Sequence, residues 1–245
     1  MLTQPTEHTD LIAQLTAAEG APLFSAADWC DYLGTQSAAL RAFSTQLQQE
    51  WQPFSVPNAV CQSVLDRVQI HLTHSGLAWQ NLWAHILRVI GNALRLADEA
   101  QISAQEAFLL AALHDVGKLD EVKTGASHEL IGALAVRQLL YRHADKLPLN
   151  VIERMAESVA KKGAQRDPFR RLLHDADKLD KIGATGILRR LSSSVGKENP
   201  SAALRYVATD LADFPPMHYA AAQQLADLKR GFTEQFLGQV AVLIA

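Results

Sequence analysis

The sequence predicts an all-α protein, a multi-helix bundle with an N-terminal helical extension. Three observations predict it. Glycine and proline are sparse, 13 and 9 in 245 residues, so the chain is seldom made to turn. Several long segments carry apolar residues at i, i+3, i+4 spacing. No run of strict alternation longer than a few residues competes with them, so nothing reads as a strand.

In chain order, Leu40, Phe43, Leu47 and Trp51 make an apolar stripe on a helix over 39–51. The stretch QPFSVPN (52–58) ends it, because proline disfavours helical geometry in the residue before it. Over 78–98, Leu82, Ile86, Val89, Ile90, Ala93 and Ala97 share one face. The segment SAQEAFLLAALHDVGK reads as a helix with Ser103 at its cap and Glu106 completing a capping box. From Ala107 to Leu113 that helix is apolar on every side, so other helices must surround it. Gly117 is placed to end it. Asp167 caps the next helix, with Pro168 at its first position, and the periodicity carries it from about Phe169 to Leu188. SSSVGKENPS (192–201) is a loop, and DFPP (213–216) leads into a last helix. Its stripe over 218–240 is Ala221, Leu225, Leu228, Phe232, Phe236 and Val240.

Bulk composition excludes several functions. Net charge is −3 and the pI about 6.3, so no overall basic field attracts a nucleic-acid polymer. Two cysteines, Cys30 and Cys61, make neither a disulfide framework nor a cysteine zinc site, and each reads as an idle thiol. The opening MLTQPTEHTD lacks the features of a signal peptide. No stretch approaches the ~18 consecutive apolar residues of a membrane span, so a cytoplasmic protein is expected. Trp29, Trp51, Trp79 and Trp83 read as packing area rather than a base-stacking surface.

One phrase occurs almost twice, LHDVGKLD at 113–120 and LHDADKLD at 173–180, but its flanks differ, so it is no internal repeat. In the first copy, His114 and Asp115 arrive together at the inner end of the most buried helix. A histidine suits the carbonyl end of a helix, but a carboxylate does not. A buried carboxylate needs a cation or strong donors. A divalent metal would serve both residues.

In the second copy, a helical wheel puts Phe169, Leu172, Ala176, Leu179 and Gly183 inward. His174 falls opposite, among Arg170, Arg171, Lys178 and Lys181, and reads as a solvated histidine. Asp175 and Asp180 lie at the two borders of the apolar face, with Asp177 about 60° beyond Asp180. The phrase can donate a carboxylate from Asp177 or Asp180. Charge pairing along the helix, such as Asp177 with Lys181, is the plainer alternative. A further histidine, His85, sits in the apolar stripe of WAHILRVIGNALRLADEA, where a core hydrogen bond is its ordinary explanation. Arg88 follows one turn later.

The order H…HD…D, formed by His85, His114-Asp115 and the DADKLD phrase, resembles the HD-domain metal-dependent phosphohydrolase superfamily. HILRV, AALHDVGK, SHELIGALAVRQLL and HDADKLDKIGATGILRR are similar to its small bacterial members. The resemblance covers roughly 80–190 and continues weakly through MHYAAAQQLADLKRGFTEQFLGQV, whereas residues 1–70 match nothing in it. It implies an N-terminal extension over 1–70 and a phosphohydrolase domain over 71–245. It also implies metal ligands at His85, His114, Asp115 and Asp177, the last as the acid of an AD(K/R)L phrase. Asp180 is the reserve and Asp175 a weaker candidate. Binuclear members carry more histidines between the HD pair and the final Asp. This sequence offers His128 and His143 there, but VIERMAESVAKKGAQRD, where another ligand would be expected, contains no histidine, so one divalent ion (Mn, Mg, Co, Zn or Fe) is expected.

The implied reaction is hydrolysis of a phosphomonoester or related phosphate bond in a small, nucleotide-like substrate. Such chemistry needs positive charge around the phosphoryl oxygens. Arg88 and Lys118 are the candidates, with Lys123 third. His128, Glu121 and Asp120 are candidates to contact substrate or supply a proton. Together with Asp115, the residues expected to carry catalysis are Arg88, Lys118 and His128. Two other readings are a di-iron oxygenase on the same framework and a non-catalytic nucleotide-binding or regulatory domain. No P-loop, G-x-G-x-x-G or G-x-S-x-G is present to support kinase-like, Rossmann or serine-hydrolase chemistry. The extension is expected to pack on the core or against a second copy, which would make a homodimer.

Overall fold

Every regular element among the described residues is a helix. A computed structural model describes residues 37–50, 53–77, 79–162, 164–194 and 200–244. The expectations for Trp29, Cys30 and Trp51 lie outside them. In chain order the α-helices are α1 (Ser37–Glu50), α2 (Ala59–Thr73), α3 (Gln80–Ala100), α4 (Ala104–Leu113), α5 (Lys118–Thr124) and α6 (His128–Leu140). There follow α7 (Leu149–Val159), α8 (Pro168–Lys178), α9 (Gly183–Ser194), α10 (Pro200–Ala212) and α11 (Ala220–Ile244). They fall into two compact units. None is long and apolar enough to cross a membrane.

The first unit comprises Pro53–Leu179 and Met217–Gln223. Its centre is α4, whose residues from Ala107 to Leu113 are all buried. The helix packs against α2, α3, α6, α7 and α8, as an all-apolar helix must. Its start is the expected capping box: Glu106 N donates to Ser103 Oγ at 3.3 Å, and Ser103 N to Glu106 Oε2 at 3.0 Å. The predicted face of α3 is buried from Ile86 to Ala97. Asp167 caps α8 as expected, its Oδ1 accepting from Phe169 N at 2.8 Å. Cys61 is buried, which pushes its thiol up to about 11, so it stays protonated and idle.

The second unit contains α1, Asp180–Pro216 and the chain from Gln224 onward. Ile187, Leu204, Val207, Ala208, Leu211, Leu237 and Val240 form its core, with Phe43, Phe232 and Phe236 packed on it.

Three expectations need correction. The helix expected over 169–188 is two helices, because α8 stops at Lys178 and α9 begins at Gly183. Gly183 takes a left-handed φ of 78°, which glycine adopts without steric cost. The face of α11 is also displaced by one residue. Leu228 is exposed, while Ala226, Lys229, Thr233 and Leu237 point inward. Polar residues occupy this face because they have buried partners: Lys229 meets Glu50, and the Thr233 hydroxyl accepts from Gly183 N at 2.8 Å. Finally, Gly117 does not end α4, which stops at Leu113. Its φ is −79°, and what it provides is room. A Cβ there would sit 2.6 Å from the His128 carbonyl oxygen and 2.9 Å from Ile131 Cβ.

Candidate metal centre

Three helices of the first unit bring the centre together. The core stripe of α3 buries His85. The end of α4 delivers His114 and Asp115, both buried, into the turn before α5. The last turn of α8 carries Asp177, whose side chain is about a quarter exposed. His85 Nε2 lies 3.2 Å from His114 Nε2, 3.2 Å from Asp115 Oδ2 and 3.4 Å from Asp177 Oδ1. His114 Nε2 is 3.3 Å from Asp115 Oδ2.

These separations fit a cation. With bonds of about 2.0–2.2 Å, neighbouring donors around one divalent ion stand roughly 2.8–3.6 Å apart. Two imidazole nitrogens at 3.2 Å repel unless a proton or a cation lies between them. The His114 ring is already oriented, with Nδ1 2.7 Å from the Ala111 carbonyl oxygen, a bond that leaves the Nε2 lone pair pointing at the cluster. His85, His114 and Asp115 can therefore hold a metal ion.

Burial pushes the Asp115 carboxyl up, but His114, His85 and Lys118 outweigh it and hold the group well below the ordinary carboxylate range. The Lys118 ammonium rests directly on Asp115 Oδ2.

Asn92 supports this arrangement and has no place in the motif. It is buried on α3, and its Nδ2 donates to the Ala176 carbonyl oxygen at 3.1 Å. The helix that bears His85 thus grips the residue next to Asp177. A polar residue inside an apolar stripe was the available signal.

The other candidates are placed as follows. Arg88 is half-buried on α3, one turn beyond His85. His128 opens α6, with Nδ1 2.9 Å from Glu121 Oε2 and 3.5 Å from Glu129 Oε2. Asp120 pairs with His71 at 2.9 Å, and Lys123 is exposed in the last turn of α5. His143 lies in a 3-10 turn, Tyr141–His143. Asp175 is fully buried, and its Oδ2 accepts the backbone amides of His218 at 2.8 Å and Tyr219 at 3.0 Å. Asp180, buried in the second unit, pairs with Arg189 at 3.5 Å.

Residues 82–182 match the sequence profile of the HD domain family, and this stretch contains all four residues of the H…HD…D order. No curated protein sequence matches the chain. Among solved structures, the chain is similar to a predicted HD superfamily hydrolase from an uncultured Thermotogales bacterium. That pair shares 22% identity over 74% of this chain and 91% of that one, with a TM-score of 0.56. An HD-superfamily hydrolase from Bacillus thuringiensis gives 22%, 73%, 93% and 0.57 in the same order. YpgQ from Bacillus subtilis, in complex with ADP, gives 22%, 74%, 93% and 0.57. At these identities the shared property is the fold.

Proposed function

We propose that the chain is a metal-dependent hydrolase that cleaves a phosphomonoester or related phosphate bond in a nucleotide-like substrate. The observation that carries this reading is the convergence of His85 Nε2, His114 Nε2, Asp115 Oδ2 and Asp177 Oδ1 within 3.2–3.4 Å of their neighbours. These four residues would hold one divalent ion of the Mn, Mg, Co, Zn or Fe class. When bound, such an ion lowers the pKa of a coordinated water and polarises a phosphoryl group. The complex of YpgQ with ADP supports a nucleotide as the ligand class. The stretch VIERMAESVAKKGAQRD, which carries no histidine where a further ligand would be expected, favours one ion over two.

The remaining residues take roles that follow from their charge. Asp115, oriented between two imidazoles and Lys118, fixes the position at which the reaction starts. Lys118 and Arg88, each one turn from a ligand residue, neutralise charge on the phosphoryl oxygens. Glu121 orients the His128 ring through Nδ1, which leaves Nε2 to contact the substrate.

The test is a release assay. Protein stripped with chelator and reloaded with each metal is offered nucleoside mono-, di- and triphosphates and simple phosphoesters. Metal-dependent release of phosphate or pyrophosphate is expected, lost in Asp115→Ala with helical content retained. Unchanged turnover in that variant, or no release from any substrate with any metal, would refute the proposal.

A further inference from the structure

His174, Asp175 and His218 form a second group of metal-ligating side chains within the first unit. One ligand atom from each lies within 4.8 Å of the other two. The His174 and His218 rings stand 4.9 Å apart between centroids, inclined at 59°. Asp175 ties the two histidines together. Its Oδ1 is 3.0 Å from His174 Nδ1, and its Oδ2 accepts the backbone amide of His218 at 2.8 Å. Arg171 adds a bond from Nη2 to the His218 carbonyl oxygen at 3.2 Å. The backbone that carries His218 is thus fastened at both its amide and its carbonyl.

The chemistry of the group is that of an oriented imidazole pair. A carboxylate that accepts the Nδ1 proton of a histidine fixes the ring and leaves Nε2 with its lone pair. Asp175 is fully buried, so it holds His174 without exchanging its partner for water. His174 is half-buried and His218 exposed, so both rings are open to an ion from solution.

We infer that His174 and His218, oriented by the buried Asp175 carboxylate, constitute a second, solvent-accessible site for a borderline divalent cation of the zinc, nickel and copper class, separate from the His85–His114–Asp115 centre. Two imidazoles beside one carboxylate select such ions over Mg or Ca, which prefer all-oxygen shells. His174 belongs to α8 and His218 to the segment that leads into α11, so a bound ion joins two elements far apart in sequence. Binding should therefore stabilise the fold. The site does not depend on hydrolase activity.

The experiment uses full-length protein, stripped of metal and titrated with zinc. Bound zinc is measured after removal of the free ion, and thermal melting is followed in parallel. Wild type should bind two zinc ions per chain, and His218→Gln only one. With the first centre disabled by Asp115→Ala, zinc should still raise the melting temperature. The double variant Asp115→Ala/His218→Gln should lose that rise and bind zinc at least tenfold more weakly than Asp115→Ala. Because His218 is exposed, the glutamine variant should keep the circular dichroism of wild type. Two ions retained in His218→Gln, or zinc binding in Asp115→Ala that is indifferent to His218, would overturn the inference. A His218-dependent site in a protein that releases no phosphate would uphold it while refuting the hydrolase proposal.

Discussion

Replacing Lys229 by Met removes one charge of a buried pair and keeps nearly the same side-chain volume. Only 3% of the Glu50 side chain and 9% of the Lys229 side chain are exposed. Glu50 Oε2 accepts from Lys229 Nζ at 2.9 Å, Thr185 N at 3.0 Å and Thr185 Oγ1 at 2.6 Å. Its Oε1 accepts from Ala184 N at 2.9 Å. The carboxylate at the end of α1 thus caps the start of α9, where the amides of the first turn lack helical partners. Burial pushes the Glu50 carboxyl up, but Lys229, with Thr185 and Gln46, outweighs it and holds it below the usual value. Without the ammonium, the buried charge keeps only amide and hydroxyl donors. Removing one partner of a buried pair costs about 3–5 kcal/mol. In a chain of this size each kcal/mol moves Tm by about 2–4 °C, so a fall of roughly 6–20 °C is expected. The pH dependence should also reverse. In wild type the depressed Glu50 contributes stability above the ordinary carboxylate value and loses it as pH falls through its own. In Lys229→Met, burial is left with weaker opposition and the carboxyl rises. The stability of the variant should then decline, relative to wild type, as pH rises above the ordinary carboxylate value. Urea melts followed by circular dichroism at four pH values measure both effects. A cost below about 1 kcal/mol at pH 7 with a wild-type pH profile would refute the reasoning.

Asn92→Ala should weaken binding of the metal, since Asp177 loses the bond that seats its neighbour; isothermal titration reads the affinity, and urea melts read a stability loss of about 1–3 kcal/mol. Gly117→Ala should cost about 1–3 kcal/mol, because its new methyl meets the α6 backbone and the carbonyl oxygen of His128 cannot yield cheaply. Lys161 and Ser127 lower the Glu129 carboxyl to about 2. That contribution is present above the ordinary carboxylate value and fades as pH falls toward 2. Lys161→Met should therefore cost stability at pH 6, by about 1 kcal/mol or less because the pair is partly exposed, and markedly less at pH 2. Chemical denaturation at the two pH values checks it.

Local signals carried much of this structure. The capping box at Ser103 and the Asp167–Pro168 start are written in adjacent residues, and both form as expected. The all-apolar run from Ala107 to Leu113 could only be a central helix, and it is buried throughout. The H…HD…D order is similarly direct, since each of its residue types is visible where it stands. What escaped was non-local. Asp175 looked like a border residue on a wheel, yet it is fully buried because amides from His218 and Tyr219 reach it across the fold. The Lys229 and Thr233 face of α11 looked polar because their partners, Glu50 and Gly183, lie far away in sequence. The wheel also failed beyond Lys178, where the helix stops and its angles no longer apply.

Manganese affinity is the most direct measurement of the proposed centre, because Mn(II) responds little to the exposed imidazole pair. Free Mn(II) is read by electron paramagnetic resonance as it titrates wild type, His85→Ala, His114→Ala, Asp115→Ala and Asp177→Ala. One ion per wild-type chain and at least a tenfold loss of affinity in each variant are the expected results. Wild-type affinity in any of the four variants that keeps its fold would contradict a single ion held by all of them.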